Sequence, residues 1–277
     1  MKRLPLALAL VAALIVPAFA EDAPKDAKPA LKAELGSKAP AVVIQDTEGR
    51  SFELQDCGIT KKDAVAVVMA QALTFGAGKD AKPETKIADL KGVKDGDGDV
   101  DASKVRDLAL ACGTYFGLIA TEESAESFKT LGDLVTWIEQ ANTSPILLVT
   151  FSPRCGSVKR QADRILEMAA ASKVRIFAIA CNTKDTDEHL AKFKESRDWP
   201  VRTFWDREQR VTDMLGGKVT PHFFLFDKDA VLRYRGAMNN DPMGFMEDEE
   251  RKDYVIDAVS AIRGGKAVPV SDTEPSG

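Results

Sequence analysis

The sequence is short of the residues that build metal sites. It contains two histidines, and its four cysteines lie far apart at Cys57, Cys112, Cys155 and Cys181. No Cys-x-x-Cys motif and no cysteine–histidine cluster occurs, whereas structural zinc sites use such spacings. We therefore expect no bound metal and no other cofactor.

Excess positive charge is also lacking. Lys and Arg together number 38 against 43 Asp and Glu, which gives a formal net charge of -5. Proteins that bind nucleic acid concentrate Lys and Arg to neutralise phosphates. A mildly acidic chain without a basic patch excludes nucleic acid as an expected partner.

Long apolar runs are confined to the N-terminus. Lys2 and Arg3 precede an apolar stretch from Leu4 to Val16, and small residues follow up to Ala20. This is the order of a secretory signal peptide. We expect residues 1–20 to be cleaved and the protein to be exported, to the periplasm or the outside, with a net charge that falls from -5 to -7 through loss of Lys2 and Arg3. No later segment supplies the roughly 20 apolar residues of a membrane-spanning helix, so the mature protein should be soluble.

The remaining chain divides by composition. Residues 21–35 are rich in Ala, Lys, Asp and Pro and predict a flexible linker. Residues 36–56 contain two short strands around a turn at Asp46 to Gly49, which predicts a hairpin. Residues 57–143 predict a helical insertion, residues 144–271 the core of the main domain, and residues 272–277 a disordered tail.

Residues 144–271 alternate strands with helices. The apolar runs Ile146 to Phe151 and Val174 to Ala180 predict buried strands, with a helix from Ser157 to Ser172 between them. A hairpin and a final helix from Met246 to Ile262 follow. This order predicts an α/β fold: a mixed sheet flanked by helices, with the helical insertion between the N-terminal hairpin and the first core strand.

Cys155 is the candidate nucleophile. It follows the strand that ends at Phe151 and lies at the predicted start of a helix, beside Arg154 and near Lys159. Free N–H groups and the helix dipole stabilise anions at such a place, and neighbouring cations act in the same direction. The pattern indicates a thiol that can react as a thiolate.

The hairpin, the strand ending before Cys155, and Thr220-Pro221 before an aromatic strand together resemble the thioredoxin-like superfamily, in its redoxin or thiol-specific antioxidant (peroxiredoxin-like) branch. The resemblance covers about residues 36–56 and 145–271. It implies that Thr220-Pro221 has a cis peptide bond and faces Cys155, and that Ser152 and Arg154 help to stabilise the thiolate. It also implies a thiol oxidoreductase that reduces a peroxide or exchanges with a disulfide.

The chain departs from that family at its resolving cysteines. Position 158 is Val where reductases have the second Cys of Cys-x-x-Cys, Leu148 stands where peroxiredoxins have Pro, and Val219 precedes Thr220. Cys181 is the best internal candidate for resolution, although a buried structural role is the interpretation we favour for it. The expected partner is an external thiol reductant or a disulfide-containing protein. A degenerate scaffold that binds an extended protein segment is the alternative function.

Two further resemblances lie in the insertion. Residues 108–138 resemble the later part of an acyl carrier domain, although Ala102 occupies the position of the serine that carries the prosthetic group. Asp95 to Asp101 resembles the middle of a calcium loop, with Val93 and Lys104 at its two end-ligand positions. A plain polar connection into a helix is the interpretation we favour for this loop.

Overall fold

A computed structural model describes residues 32–41, 43–247 and 249–276. The predicted signal peptide and residues 21–31 of the predicted linker lie outside the described residues. The described chain forms two compact units. One comprises Ile59–Cys112 and Ala120–Glu139, and the other comprises residues 32–58, Gly113–Ile119 and residues 140–276.

The first unit is built on helices. They are α1 (Lys61–Thr74), α2 (Ala102–Gly113, whose last residue belongs to the second unit), α3 (Glu122–Glu126) and α4 (Leu131–Gln140, again ending in the second unit). Thr60 and Thr121 cap α1 and α3 by accepting backbone N–H groups of their first turns, which satisfies donors that a helix start leaves free. Buried Leu108, Leu131 and Leu134 supply part of the core.

The loop that resembles a calcium site is closed by its own hydrogen bonds. The Asp95 carboxylate accepts the N–H groups of Asp97 and Asp99 at 2.9 and 3.0 Å, and the Lys104 ammonium contacts the Lys94 carbonyl. Within the part of the chain that the structure describes, no group of three or more His, Cys, Asp or Glu side chains is arranged to hold a metal ion. Its hydrogen bonds form a polar turn that leads into α2.

The second unit opens with a small antiparallel hairpin of β1 (Val43–Gln45) and β2 (Ser51–Glu53). Asp46 fixes its turn, because its carboxylate accepts the N–H groups of Glu48 and Arg50 at 3.0 and 2.8 Å. The same carboxylate forms an ion pair with Arg202, in which both side chains are buried.

A five-stranded sheet carries the unit. Its strands are β3 (Ile146–Phe151), β4 (Arg175–Ala180), β5 (Thr203–Trp205), β6 (His222–Phe226) and β7 (Leu232–Gly236), in the spatial order β5-β4-β3-β6-β7. Strands β3, β4 and β5 are parallel, whereas β6 and β7 run antiparallel to their neighbours. Every residue of β3, β4 and β6 is buried, which explains why apolar residues predominate in all three strands.

Apolar residues on both faces of this sheet are covered. On one face, α5 (Gly156–Ser172), α6 (Asp187–Ser196) and α8 (Tyr254–Arg263) bury residues such as Val158, Phe193 and Val255 against the strands. On the other face, the hairpin and α7 (Arg210–Leu215) contribute Phe52 and Leu215. The predicted mixed sheet flanked by helices is confirmed.

Helix α8 begins at Tyr254, eight residues later than the predicted Met246. The prediction was wrong because the Asp241 carboxylate accepts the N–H groups of Gly244, Phe245 and Met246 at 2.7 to 3.2 Å. The same carboxylate lies 3.6 Å from the Arg164 guanidinium. These contacts hold residues 241–246 as a loop.

Two segments predicted to lack structure are packed in the described chain. Ala33, inside the predicted linker 21–35, is buried and donates its N–H to the Met214 carbonyl at 2.7 Å. In the predicted tail 272–277, Thr273 donates its N–H to the Arg235 carbonyl at 3.1 Å, and Asp272 forms an ion pair with Arg235. The tail thus extends the edge of the sheet, because β7 offers it unpaired backbone groups.

Across the described residues, no helix combines the length and apolar character needed to cross a membrane.

Candidate functional site around Cys155

Cys155 occupies the N-cap of α5. The chain leaves β3 at Phe151 and turns through Ser152-Pro153-Arg154, where the Cys155 N–H donates to the Ser152 carbonyl at 3.0 Å. The Cys155 carbonyl then accepts the N–H of Lys159 at 3.1 Å as the helix begins. Its side chain is half-buried and is not part of a disulfide. The thiol therefore lies where helix N–H groups can stabilise a negative charge.

Thr220 faces Cys155 across the sheet edge. The Thr220–Pro221 peptide bond is cis, and the Cys155 thiol donates a hydrogen bond to the Thr220 carbonyl, with Sγ and O 3.1 Å apart. Pairing of β6 with β3, which sets His222 opposite Thr150, brings the two segments together. The Thr150 hydroxyl is 3.3 Å from the Val219 carbonyl and 3.4 Å from the His222 carbonyl.

Ser152, the first residue of this turn, is buried. Its hydroxyl oxygen accepts the N–H of Arg154 and the side-chain amide of Asn182, both at 3.4 Å. Ser152 therefore stabilises the turn that presents Cys155.

The Arg154 side chain is directed to Asp185. Its Nε donates to the Asp185 carboxylate at 2.9 Å, and that carboxylate is fully buried. Arg207 donates to the backbone carbonyl of the same residue at 3.0 Å. The Arg154 guanidinium, which the sequence resemblance assigns to the Cys155 thiolate, is therefore paired with the buried Asp185 carboxylate.

Cys155 and Cys181 pack against opposite faces of the central sheet. Cys155 contacts the cluster that contains Phe151 and Val158, whereas Cys181 belongs to the cluster that contains Phe177 and Phe204. A disulfide requires Cα atoms within about 7 Å and converging Cβ atoms. The two thiols face different apolar clusters, which disfavours a direct bond between them.

The other thiols are held in their neutral form by burial. Desolvation raises the pKa of Cys181 to about 11 and raises the pKa of Cys112 far above its ordinary value. Burial also raises the pKa of Cys57, although the nearby Arg175 guanidinium opposes that shift.

Sequence reasoning did not assign Asp185, Asn182 or His222 to this site. Asp185 and Asn182 follow β4, and His222 begins β6, so all three lie near the edge that carries Cys155. An acid after a buried strand at this edge is the signal that could have identified Asp185. His222 is buried, and its Nδ1 accepts the Lys218 N–H in the loop before Pro221.

The strand order, the parallel and antiparallel pairing, the helices on both faces and the cis proline opposite Cys155 together define a thioredoxin-like fold. This agrees with the fold that the sequence resemblance implied. The acyl-carrier resemblance of the insertion stays a prediction.

No family model and no curated protein sequence matches the chain. Similar solved structures include a hypothetical protein from Sinorhizobium meliloti, with 15% identity over 89% of this chain and 94% of that chain and a TM-score of 0.47. The thioredoxin domain of a thiol-disulfide oxidoreductase from Bacteroides vulgatus has 12% identity over 73% and 86% of the two chains, with a TM-score of 0.37. A secreted disulfide oxidoreductase from Mycobacterium tuberculosis has 16% identity over 45% and 86%, with a TM-score of 0.33.

Proposed function

We propose that the protein is a thiol oxidoreductase that exchanges with disulfides through Cys155 alone. The observation that carries this proposal is the half-buried thiol at the N-cap of α5, 3.1 Å from the carbonyl that precedes the cis proline. Reactive cysteines are typically partly exposed and lie where positive surroundings, such as a helix N-terminus, stabilise the thiolate.

The proposed reaction has two steps. The Cys155 thiolate attacks one sulfur of a disulfide, so that a new S–S bond forms, the old one breaks, and the other sulfur leaves as a thiolate. An external thiol then attacks the mixed disulfide and releases Cys155. These two steps release one thiol of the original disulfide and leave its other sulfur bonded to the external thiol. A second external thiol attacks that bond and releases the remaining thiol, so that two external thiols are oxidised and one disulfide is reduced.

An external thiol is proposed because no internal thiol is placed to resolve the mixed disulfide. Position 158, where a neighbouring resolving cysteine would stand, is a valine. Cys181 is on the other sheet face and has its pKa raised to about 11 by burial. Neither position therefore supplies a thiolate that can attack a mixed disulfide on Cys155.

Peroxide reduction is the other reaction that the sequence resemblance implies. In it, Cys155 would be oxidised to a sulfenic acid while the peroxide is reduced to an alcohol or water. We favour disulfide exchange because Leu148 stands where peroxiredoxins have Pro, and because the two side chains that the resemblance assigns to thiolate stabilisation have other partners: Arg154 binds Asp185, and Ser152 binds Asn182.

A non-catalytic binding scaffold is the second candidate. The observation in its favour is Val219, which is 40% exposed directly before Thr220-Pro221. An apolar side chain beside backbone groups suits an extended protein segment. Such a scaffold needs no reaction at Cys155.

The test incubates the reduced mature chain with glutathione disulfide and then with excess dithiothreitol. We expect one glutathione to be added at Cys155, located by peptide mass spectrometry, and released by the dithiol. Cys155→Ser should abolish the addition, and Cys181→Ser should retain it. Addition at other cysteines, or none at Cys155, would contradict the proposal. Peroxide consumption by the wild type but not by Cys155→Ser would favour the peroxidase reaction instead.

Export is part of the proposal. It rests on the Lys2-Arg3 start, the apolar stretch and Ala20. Expression in a Gram-negative host followed by osmotic-shock fractionation should release a protein whose N-terminal residue is Glu21. Recovery in the cytoplasm with residues 1–20 intact would contradict it.

A further inference from the structure

His222 closes the loop that presents the Thr220 carbonyl. The ring is 2% exposed and lies against Phe224, with ring centroids 4.3 Å apart. Its Nδ1 accepts the backbone N–H of Lys218 at 3.4 Å. This bond spans residues 218–222, so Thr220 and Pro221 lie inside the loop that it closes.

The same loop contacts the thiol. Thr220, between the two ends of the His222–Lys218 bond, accepts the hydrogen bond of Cys155 at 3.1 Å. A thiol that donates to a carbonyl is stabilised in its protonated form, because the carbonyl oxygen cannot donate to a thiolate. The position of this loop therefore controls how readily Cys155 reacts.

We propose that His222 is a positioning residue, whose Nδ1 holds the loop of residues 218–221 so that the Thr220 carbonyl restrains the Cys155 thiol. The inference rests on the proposed function and adds a regulation of the same site. It requires the neutral ring, since Nδ1 can accept an N–H only without a proton.

The surroundings of His222 keep it neutral over the ordinary pH range. Burial lowers its pKa to about 4, and the nearby Lys218 and Arg235 act in the same direction, whereas Asp272 and Glu274 oppose it. The pKa of a histidine in an unfolded chain is about 6.5. The proton is therefore taken up by the folded protein only near pH 4, where Nδ1 loses its role as an acceptor and the loop is released.

The test measures the rate at which dithiodipyridine labels Cys155 in reduced protein, resolved by peptide mass spectrometry. His222→Phe keeps a ring but removes the acceptor, and we expect labelling at pH 7 to accelerate about two- to twelvefold, the effect of losing one hydrogen bond. His222→Asn places an amide oxygen at the δ position and should restore the wild-type rate. His189→Phe, at the other histidine, is the matched control and should leave the rate unchanged.

The pH profile gives a second measurement that does not depend on the folding of His222→Phe. Wild-type labelling should show a step near pH 4 that His222→Asn lacks. Equal rates for wild type and His222→Phe, a slower His222→Phe, or a step that persists in His222→Asn would overturn the inference. If glutathione exchange fails but these effects occur, only the proposed function is refuted.

Discussion

Replacing Val158 with Cys should convert the site into a dithiol pair. Val158 lies on the first turn of α5, three residues after Cys155. Cys155 is the N-cap of that helix, so the change creates a Cys-x-x-Cys spacing at a helix start, as in disulfide oxidoreductases. We expect oxidised Val158→Cys to contain a disulfide between Cys155 and the introduced thiol. Reduced Val158→Cys should reduce insulin catalytically with dithiothreitol, which the wild type should do poorly.

The cost of this change follows from the burial of Val158. The side chain is 0% exposed in the core, and Val to Cys removes about one methyl group's volume, which costs about 0.5–1.5 kcal/mol by analogy with Ile to Val. In a domain of about 150–250 residues, each kcal/mol lowers the melting temperature by about 2–4 °C. Val158→Ala, which truncates the same side chain without adding a thiol, is the matched control.

Two assays decide this prediction. Mass spectrometry of the oxidised variant should locate the new disulfide, and insulin turbidity should report turnover. A folded Val158→Cys protein in which the introduced thiol forms no bond to Cys155 would refute the placement of Cys155 at the N-cap and of residue 158 on the first turn of α5. A bond without any gain in turnover over Val158→Ala would refute the view that a missing resolving thiol limits this site.

Three further outcomes follow from buried groups and close contacts. Asp46→Asn should lower the free energy of unfolding by about 3–5 kcal/mol, because it leaves the Arg202 charge buried without its partner. Burial alone would raise the pKa of Asp46, but Arg202 holds that pKa below its ordinary value. The pair should therefore stabilise the wild type above about pH 4 and lose that effect as the pH falls, which urea unfolding at several pH values can check. Cys181, whose pKa is raised to about 11 by burial, should resist iodoacetamide at pH 8 in native protein and react in urea, and fast native labelling would contradict its packing. Gly236→Ala should release the C-terminal segment, because an added Cβ would lie 2.0 Å from the Thr273 hydroxyl; faster carboxypeptidase digestion than in wild type is expected, and equal digestion would count against it.

The elements with strong local patterns were predictable from the sequence. Strand β3 was identified because it is a continuous apolar run, as expected of a strand buried on both faces. Helix α5 was identified from its apolar stripe, which lies against the sheet. By contrast, the start of α8 depended on whether the Asp241 carboxylate accepts the backbone N–H groups three to five residues ahead, which holds a loop there instead of a helical turn.

The surroundings of the candidate nucleophile were only partly predictable. Arg154 was assigned to the thiol because it is its neighbour in sequence, but its partner is Asp185, 31 residues away. Alternation along β4 places Cys181 on the same face as Phe177. This alternation does not show whether Cys155 lies on the same face, because the turn after β3 determines on which side of the sheet the Cys155 thiol lies.

Local sequence patterns were enough to show that a lone cysteine follows a buried strand at a helix start, because strand burial and helix periodicity repeat over a few residues. What the Cys155 thiol meets depends instead on the tertiary fold. The pairing of β6 with β3 brings the Thr220 carbonyl to 3.1 Å from the sulfur, and His222 closes the loop that holds it there. Cys155 and Thr220 are 65 positions apart, so their contact is set by strand register rather than by any local segment.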